Sequence, residues 1–223
     1  MFLGSRNNQH SFAAVPAPSV PRSQFDRSFT VKDTMDFDYL NPIFVDEVLP
    51  GDTVNLQLQT FVRLATQKVP IMDNLYVDYY FFFCPSRLLW TNWKRFMGEQ
   101  DNPADSISYT VPQMVIPAGG PEVGALADKL GLPTDVAAGY QCNTLPFRMY
   151  NKVWNEWFRD ENLQNSVVVG LDDGTDALSD YVLLKANKKH DYFTSCLPSP
   201  QKFLSYLWQI YLILQYQTKR TSP

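Results

Sequence analysis

The chain has 223 residues, 45% of them hydrophobic, which suffices for one domain with a core or two small ones. Charged residues make up only 19% and the net charge is −4, so the chain as a whole is not an electrostatic binder of nucleic acid, which needs clustered Lys and Arg. Three widely spaced cysteines, Cys84, Cys142 and Cys196, argue against a disulfide framework or a zinc site and fit a reducing compartment.

Met1 to Ser11 holds no apolar stretch of the kind a secretion signal needs. Residues 1–40 read as an extended arm without a core of its own. Pro16, Pro18 and Pro21 interrupt it, and Arg6, Arg22, Arg27 and Lys32 outnumber Asp26 up to that lysine. It is either a frayed terminus or an arm lying along the inside of an assembly. Pro50-Gly51-Asp52 is a turn signal. Beyond it Val54, Leu56, Leu58, Val62 and Leu64 alternate with polar residues, which predicts a half-buried strand. Leu75 to Phe83 is apolar on both faces except at Asp78 and predicts a strand covered on both sides.

A helix is expected from Ser86 to Gly98, with Leu89, Trp93, Phe96 and Met97 on its apolar face. Ile107, Tyr109 and Val111 alternate before Pro112 as a short strand. A short helix fits residues 124–130, closed by Gly131 and Pro133. A longer helix runs from about Pro146 to Phe158, its stripe made of Phe147, Tyr150, Trp154, Trp157 and Phe158. Residues 167–169 and 181–184 are short and strand-like. Phe203 to Tyr216 is nearly all apolar. As a helix it would span roughly 20 Å, short of the roughly 30 Å hydrocarbon layer, so it predicts no membrane anchor.

Candidate chemistry is sparse. His10 and His190 lie in unrelated segments, and no spacing pairs either with a nucleophile. No phosphate-binding glycine motif occurs. Asp172, Asp173 and Asp176, in a Gly-containing loop, are either carboxylate ligands for a hard cation or a solvated turn. Trp154, Trp157 and Phe158 are either a subunit interface or part of the core-facing stripe. No catalytic residue and no cofactor is expected. The readings that compete with a structural one are a lectin-like jelly-roll binding module, a hydrolase built on the three aspartates, and a membrane-associated protein using Phe203 to Tyr216.

Long ordered stretches resemble one family. They are His10-Ser11-Phe12, Pro21-Arg22-Ser23-Gln24-Phe25-Asp26-Arg27-Ser28, and Tyr39-Leu40-Asn41-Pro42-Ile43-Phe44-Val45-Asp46-Glu47-Val48 running on to Thr53. The middle adds Phe96-Met97-Gly98-Glu99, Pro146-Phe147-Arg148, Tyr150-Asn151, and Trp154-Asn155-Glu156-Trp157-Phe158-Arg159-Asp160 running on to Gln164. The last is Lys189-His190-Asp191-Tyr192-Phe193-Thr194-Ser195-Cys196-Leu197-Pro198, running on to Lys202. Together they resemble the major capsid proteins of the Microviridae, within them the gokushovirus-like branch.

The resemblance implies a mainly β fold, the eight-stranded viral jelly roll with long, partly helical insertions, of which this chain holds a part. It implies a non-enzymatic subunit of a T=1 icosahedral shell, found in the virion and assembled in the bacterial cytoplasm. Its partners would be copies of itself, other phage structural proteins, small basic DNA-packaging proteins and circular single-stranded DNA, with no membrane. On that reading residues 41–202 are the partial jelly roll, and Arg6, Arg22 and Arg27 in the arm face the interior. Residues 203–223 do not resemble the family and read as a frame-shifted or misjoined end, which leaves barrel edges open and predicts poor solubility of the chain alone.

Overall fold

A computed structural model describes residues 20–106, 108–161 and 163–187. The chain divides into two units, Met1–Thr34 and Met35–Pro223. In the first, the described residues 20–34 are exposed and form neither helix nor strand. Among their local features is a turn in which Asp26 Oδ1 accepts from the Ser28 amide at 3.0 Å and the Ser28 hydroxyl at 2.5 Å.

The second unit is built on a small antiparallel sheet. Strand β1, Gln113–Ile116, pairs with β2, Tyr140–Asn143, with Met114 opposite Cys142. Met114 and Ile116 point into the core while Gln113 and Val115 point out, the period-two pattern of a one-sided sheet. The connection holds helix α2, Leu126–Lys129, whose Leu126 and Ala127 close over the strands. Directly after β2 comes the long helix α3, Leu145–Val153, continued by a π-helical turn, Trp154–Phe158. Pro146 lies in its first turn, where a missing N–H costs no hydrogen bond. Phe147 from α3 and Tyr181 complete the core cluster, their ring centroids 5.4 Å apart.

A 3₁₀ turn, Ser86–Leu88, and helix α1, Trp93–Phe96, stand where one longer helix was expected. Pro85 occupies the cap position of the turn, and Gly98, at φ 101°, ends the segment as predicted. The buried residues between the two turns are Leu89 and Trp90; Phe96 and Met97 of the predicted apolar face stay exposed. The short helix before Gly131 (φ 88°) is present.

The strand predictions fared differently. Residues 54–64 and 75–83 carry no ladder, and Val54, Leu56, Leu58, Val62 and Leu64 are all exposed. A strand needs a neighbour's carbonyls and amides, and among the described residues none is placed beside them. The strand expected before Pro112 instead begins after it: proline has no N–H to give the ladder and sits just outside. Residues 167–169 and 181–184 are not strands either. A single antiparallel bridge joins Tyr39 to Lys185, flanked by the Leu40 amide on the Leu184 carbonyl and the Ala186 amide on the Asp38 carbonyl. The described fold is thus low in helix, with a small antiparallel sheet compatible with a mainly β protein. No described helix is long and apolar enough to cross a membrane; Phe203 to Tyr216 lies outside the described residues.

Candidate subunit interface and its brace

Helix α3 does the work of a missing sheet neighbour. Arg148, Asn151 and Asn155 follow one another at spacings of three and four, so one face of the helix is polar yet turned toward protein. The Asn151 amide group donates to the Val168 carbonyl at 3.0 Å and the Asp180 carbonyl at 3.1 Å. Asn155 donates to the Val167 carbonyl at 2.9 Å and accepts from the Val167 amide at 3.0 Å, the exchange a neighbouring strand would make. The Tyr150 hydroxyl donates to the Leu40 carbonyl and accepts from the Leu184 amide, both at 2.9 Å. The Trp154 indole donates to the Lys185 carbonyl at 2.7 Å. Side chains of the helix thus take the Val167 amide and carbonyl, the Val168 carbonyl and the Leu184 amide within the segments read as strand-like.

Arg148 is the centre of this brace, its side chain fully buried. Its Nε and Nη2 grip Asp176 in a fork, each at 2.7 Å. Nη1 donates to the Leu89 carbonyl at 3.2 Å and the Asp172 carbonyl at 3.0 Å. The Tyr181 hydroxyl donates to Asp176 Oδ2 at 2.6 Å. One side chain thus ties α3 to the 86–90 turn and the 170–181 loop. Gly170 lies against the guanidinium: a β-carbon there would stand 3.2 Å from Nη2 and 3.1 Å from Asp176 Oδ1. Burial by itself would push the Asp176 carboxyl up; the bonds from Arg148 and Tyr181 and the adjacent positive charge reverse this and hold it below 3.8. The Tyr181 hydroxyl is pushed well above its usual range, first by burial and then by Asp176.

The three loop aspartates are not gathered around a common point. Asp176 belongs to Arg148. Asp173 takes the Trp90 indole N–H on one oxygen and the Asn92 amide at 2.7 Å on the other. Asp172 is largely exposed, with one oxygen 3.7 Å from Arg148. Among the described residues no three His, Cys, Asp or Glu side chains are grouped as metal ligands.

The predicted stripe splits. Trp154 is buried, while Trp157 is 73% exposed and lies outside the core of the described residues. The π-helical turn adds a residue to the helical repeat and shifts the last side chains around the axis. Trp157 and Phe158 meet Tyr80 and Phe82 there. Tyr80 stands edge-on to Phe158 at 5.2 Å between centroids, and Phe82 lies 5.9 Å from Phe158 and 5.8 Å from Trp157. Tyr80 and Phe82 stack at 6.3 Å, so they share a side, as alternate residues of an extended segment do. Phe81 and Phe83 are exposed. The result is an open aromatic patch, the kind of surface that partners cover.

The sequence matches the family described as Capsid protein (F protein) over residues 13–213. The chain belongs to this capsid family. Capsid protein VP1 of Bdellovibrio phage phiMH2K is 56% identical over 202 residues, covering 91% of this chain and 38% of that protein. Capsid protein VP1 of Chlamydia phage 1 is 44% identical over 215 residues, covering 87% and 36%. Capsid protein VP1 of Spiroplasma virus 4 is 36% identical over 205 residues, covering 86% and 37%. The chain spans less than two fifths of the length of each of these relatives. The resemblance to gokushovirus-like capsid proteins of the Microviridae is borne out.

Of the residues that build the brace, Arg148, Asn151 and Asn155 entered the sequence analysis only within the stretches that carry the family resemblance, and Trp90 not at all. The signal for the inward turn of Arg148 was its three-residue step to Asn151 on the same helix face. Arg22 and Arg27 lie in the exposed first unit, and Arg6 lies outside the described residues.

Proposed function

We propose that the chain is part of the shell subunit of a single-stranded DNA bacteriophage with a T=1 icosahedral capsid, acting by self-assembly around the genome and not by catalysis. The observation that carries it is membership of the capsid family, with 56% identity to a capsid protein VP1 over most of the chain. A physical observation stands beside it. The segments with the strongest strand pattern, 54–64 and 75–83, expose their apolar residues among the described residues. Surface of that kind is covered in a working protein by further chain or by neighbouring subunits.

In this reading the full subunit is an eight-stranded jelly roll, 54–64 and 75–83 are two of its strands, and α3 is part of an insertion braced by Arg148. The arm, residues 1–40, lies on the inner side. Arg6, Arg22 and Arg27 give a mildly acidic protein a local basic stretch toward DNA, with small basic packaging proteins supplying the remaining countercharge. The virion is its location, and the bacterial cytoplasm its place of assembly. The test is mass spectrometry of purified isometric DNA-containing particles. Peptides from residues 20–187 at the abundance of the main shell protein are expected. Particles that lack these peptides would overturn the reading.

A further inference from the structure

We propose that Asp173-Gly174 is a self-modification site: Asp173 closes onto the Gly174 amide and isomerises to isoaspartate, and Trp90 and Asn92 hold that reaction back in the folded chain. The inference does not depend on the shell assignment.

This is the only Asp-Gly step in the 223 residues, and Asn-Gly does not occur. Attack of an amide on the carboxyl before it is easiest where the amide belongs to glycine, which has no side chain to crowd the closing ring. Both residues are exposed, in a bend that is neither helix nor strand. Among the described residues the Gly174 amide donates to no backbone carbonyl. The three nearest atoms that a β-carbon on Gly174 would meet all belong to Asp172, the closest at 3.4 Å, so the space around the amide is open.

The reaction needs no partner but water. The Gly174 nitrogen bonds to Asp173 Cγ, the Cγ–O bond of the protonated carboxyl breaks, and its hydroxyl leaves with the amide proton as water. Water then opens the cyclic imide at either carbonyl. Opening at Cγ restores aspartate; opening at the main-chain carbonyl leaves the chain running through Cβ and Cγ. Closure requires the carboxyl to be protonated and turned onto its own chain. The fold opposes both. One carboxylate oxygen accepts the Trp90 indole N–H and the other the Asn92 amide at 2.7 Å, bonds that favour the ionised form and turn it toward residues 90–92. Trp90 is fully buried, which keeps its donor in place. Isoaspartate lengthens the main chain by one carbon and draws the carboxylate back from both donors, three residues before the Asp176 that Arg148 grips.

The test is incubation of the full chain in heavy-oxygen water at neutral pH, followed by peptide mass spectrometry with electron-transfer fragmentation, which separates isoaspartate from aspartate. Each ring opening leaves one heavy oxygen at residue 173. Label is expected there ahead of every other aspartate. Asn92→Ala should raise the rate about tenfold, the factor for ~1.4 kcal/mol and the scale of one hydrogen bond to a charged group. Gly174→Ala keeps both hydrogen bonds and should slow labelling several-fold. Unfolding the unaltered chain in guanidinium releases the same latch without a substitution and should also speed labelling. No label at residue 173, or label no faster there than at the other aspartates, overturns the proposal. So does a rate at residue 173 that neither Asn92→Ala nor unfolding raises.

Discussion

Arg148 and Asp176 form the most consequential pair in the molecule. Neither charge is solvated: the arginine side chain is wholly buried and the aspartate 9% exposed. Such a pair adds little over an apolar substitute of the same shape, but removing one partner strands the other. Arg148→Leu should therefore cost about 3–5 kcal/mol in urea unfolding. Asp172→Asn, at an exposed carboxylate 3.7 Å away, should cost less than about 1 kcal/mol. The pair also sets an acid limit. The folded carboxyl titrates below its ordinary value, so its contribution is present above the unfolded pKa and is lost as pH falls through the lower, folded one. Thermal unfolding followed downward from pH 4 should show stability falling, and Asp176→Asn should flatten that limb while lowering stability at pH 7. None of this was legible in the sequence. Arg148 and Asp176 are 28 residues apart, with no motif linking them, and the aspartate reads as an ordinary turn residue among others of its kind.

At the scale of elements, the start of helix α3 was legible to within a residue, because Pro146 marks it, whereas the π-helical turn from Trp154, which splits the predicted stripe, left no sequence signal. The strand-like segments 167–169 and 181–184 were recognised as extended-type sequence, but no ladder forms. The Val167 amide and carbonyl, the Val168 carbonyl and the Leu184 amide are taken by Asn155, Asn151 and Tyr150, a solution that period-two patterning cannot signal. Asn155→Ala removes both bonds to Val167 and should cost about 1–3 kcal/mol, with faster exchange at the Val167 amide as the local readout. Tyr150 offers a titration. Burial raises its hydroxyl to about 12, partly countered by the Leu184 amide that bonds to it. An unfolded tyrosine ionises near pH 10, so the unfolded chain loses its proton first and stability declines as pH rises from about 10 toward 12. Tyr150→Phe should lessen that decline, the raised Tyr181 hydroxyl supplying the remainder, and at neutral pH lower stability through its two lost hydrogen bonds.

For the whole molecule, two kinds of sequence pattern met two fates. Where the chain supplies its own cover, as with Met114 and Ile116 under Leu126 and Phe147, alternation became a sheet and a core. Elsewhere among the described residues alternation stands without pairing: Leu56, Leu58, Val62 and Leu64 are exposed although their spacing is the clearest strand signal in the sequence. Periodicity reports which side of a strand must be covered, not what covers it. Covering an exposed Val or Leu side chain is worth about 1.5–3 kcal/mol. A segment with several of them therefore drives association once copies meet, and its unpaired backbone offers an edge for doing so. The purified chain should consequently associate as concentration rises and should brighten a dye that binds exposed apolar surface. Replacing Leu56, Leu58 and Val62 together by Ser should shift association to at least about tenfold higher concentration, since losing even one such contact exceeds the ~1.4 kcal/mol that a factor of ten requires. Because all three side chains already face solvent, melting of the core around Met114 and Phe147 should scarcely change. Sedimentation showing a dilute-to-concentrated monomer with one sharp cooperative transition would mean that these residues are covered within the chain, and the argument from exposure would fail.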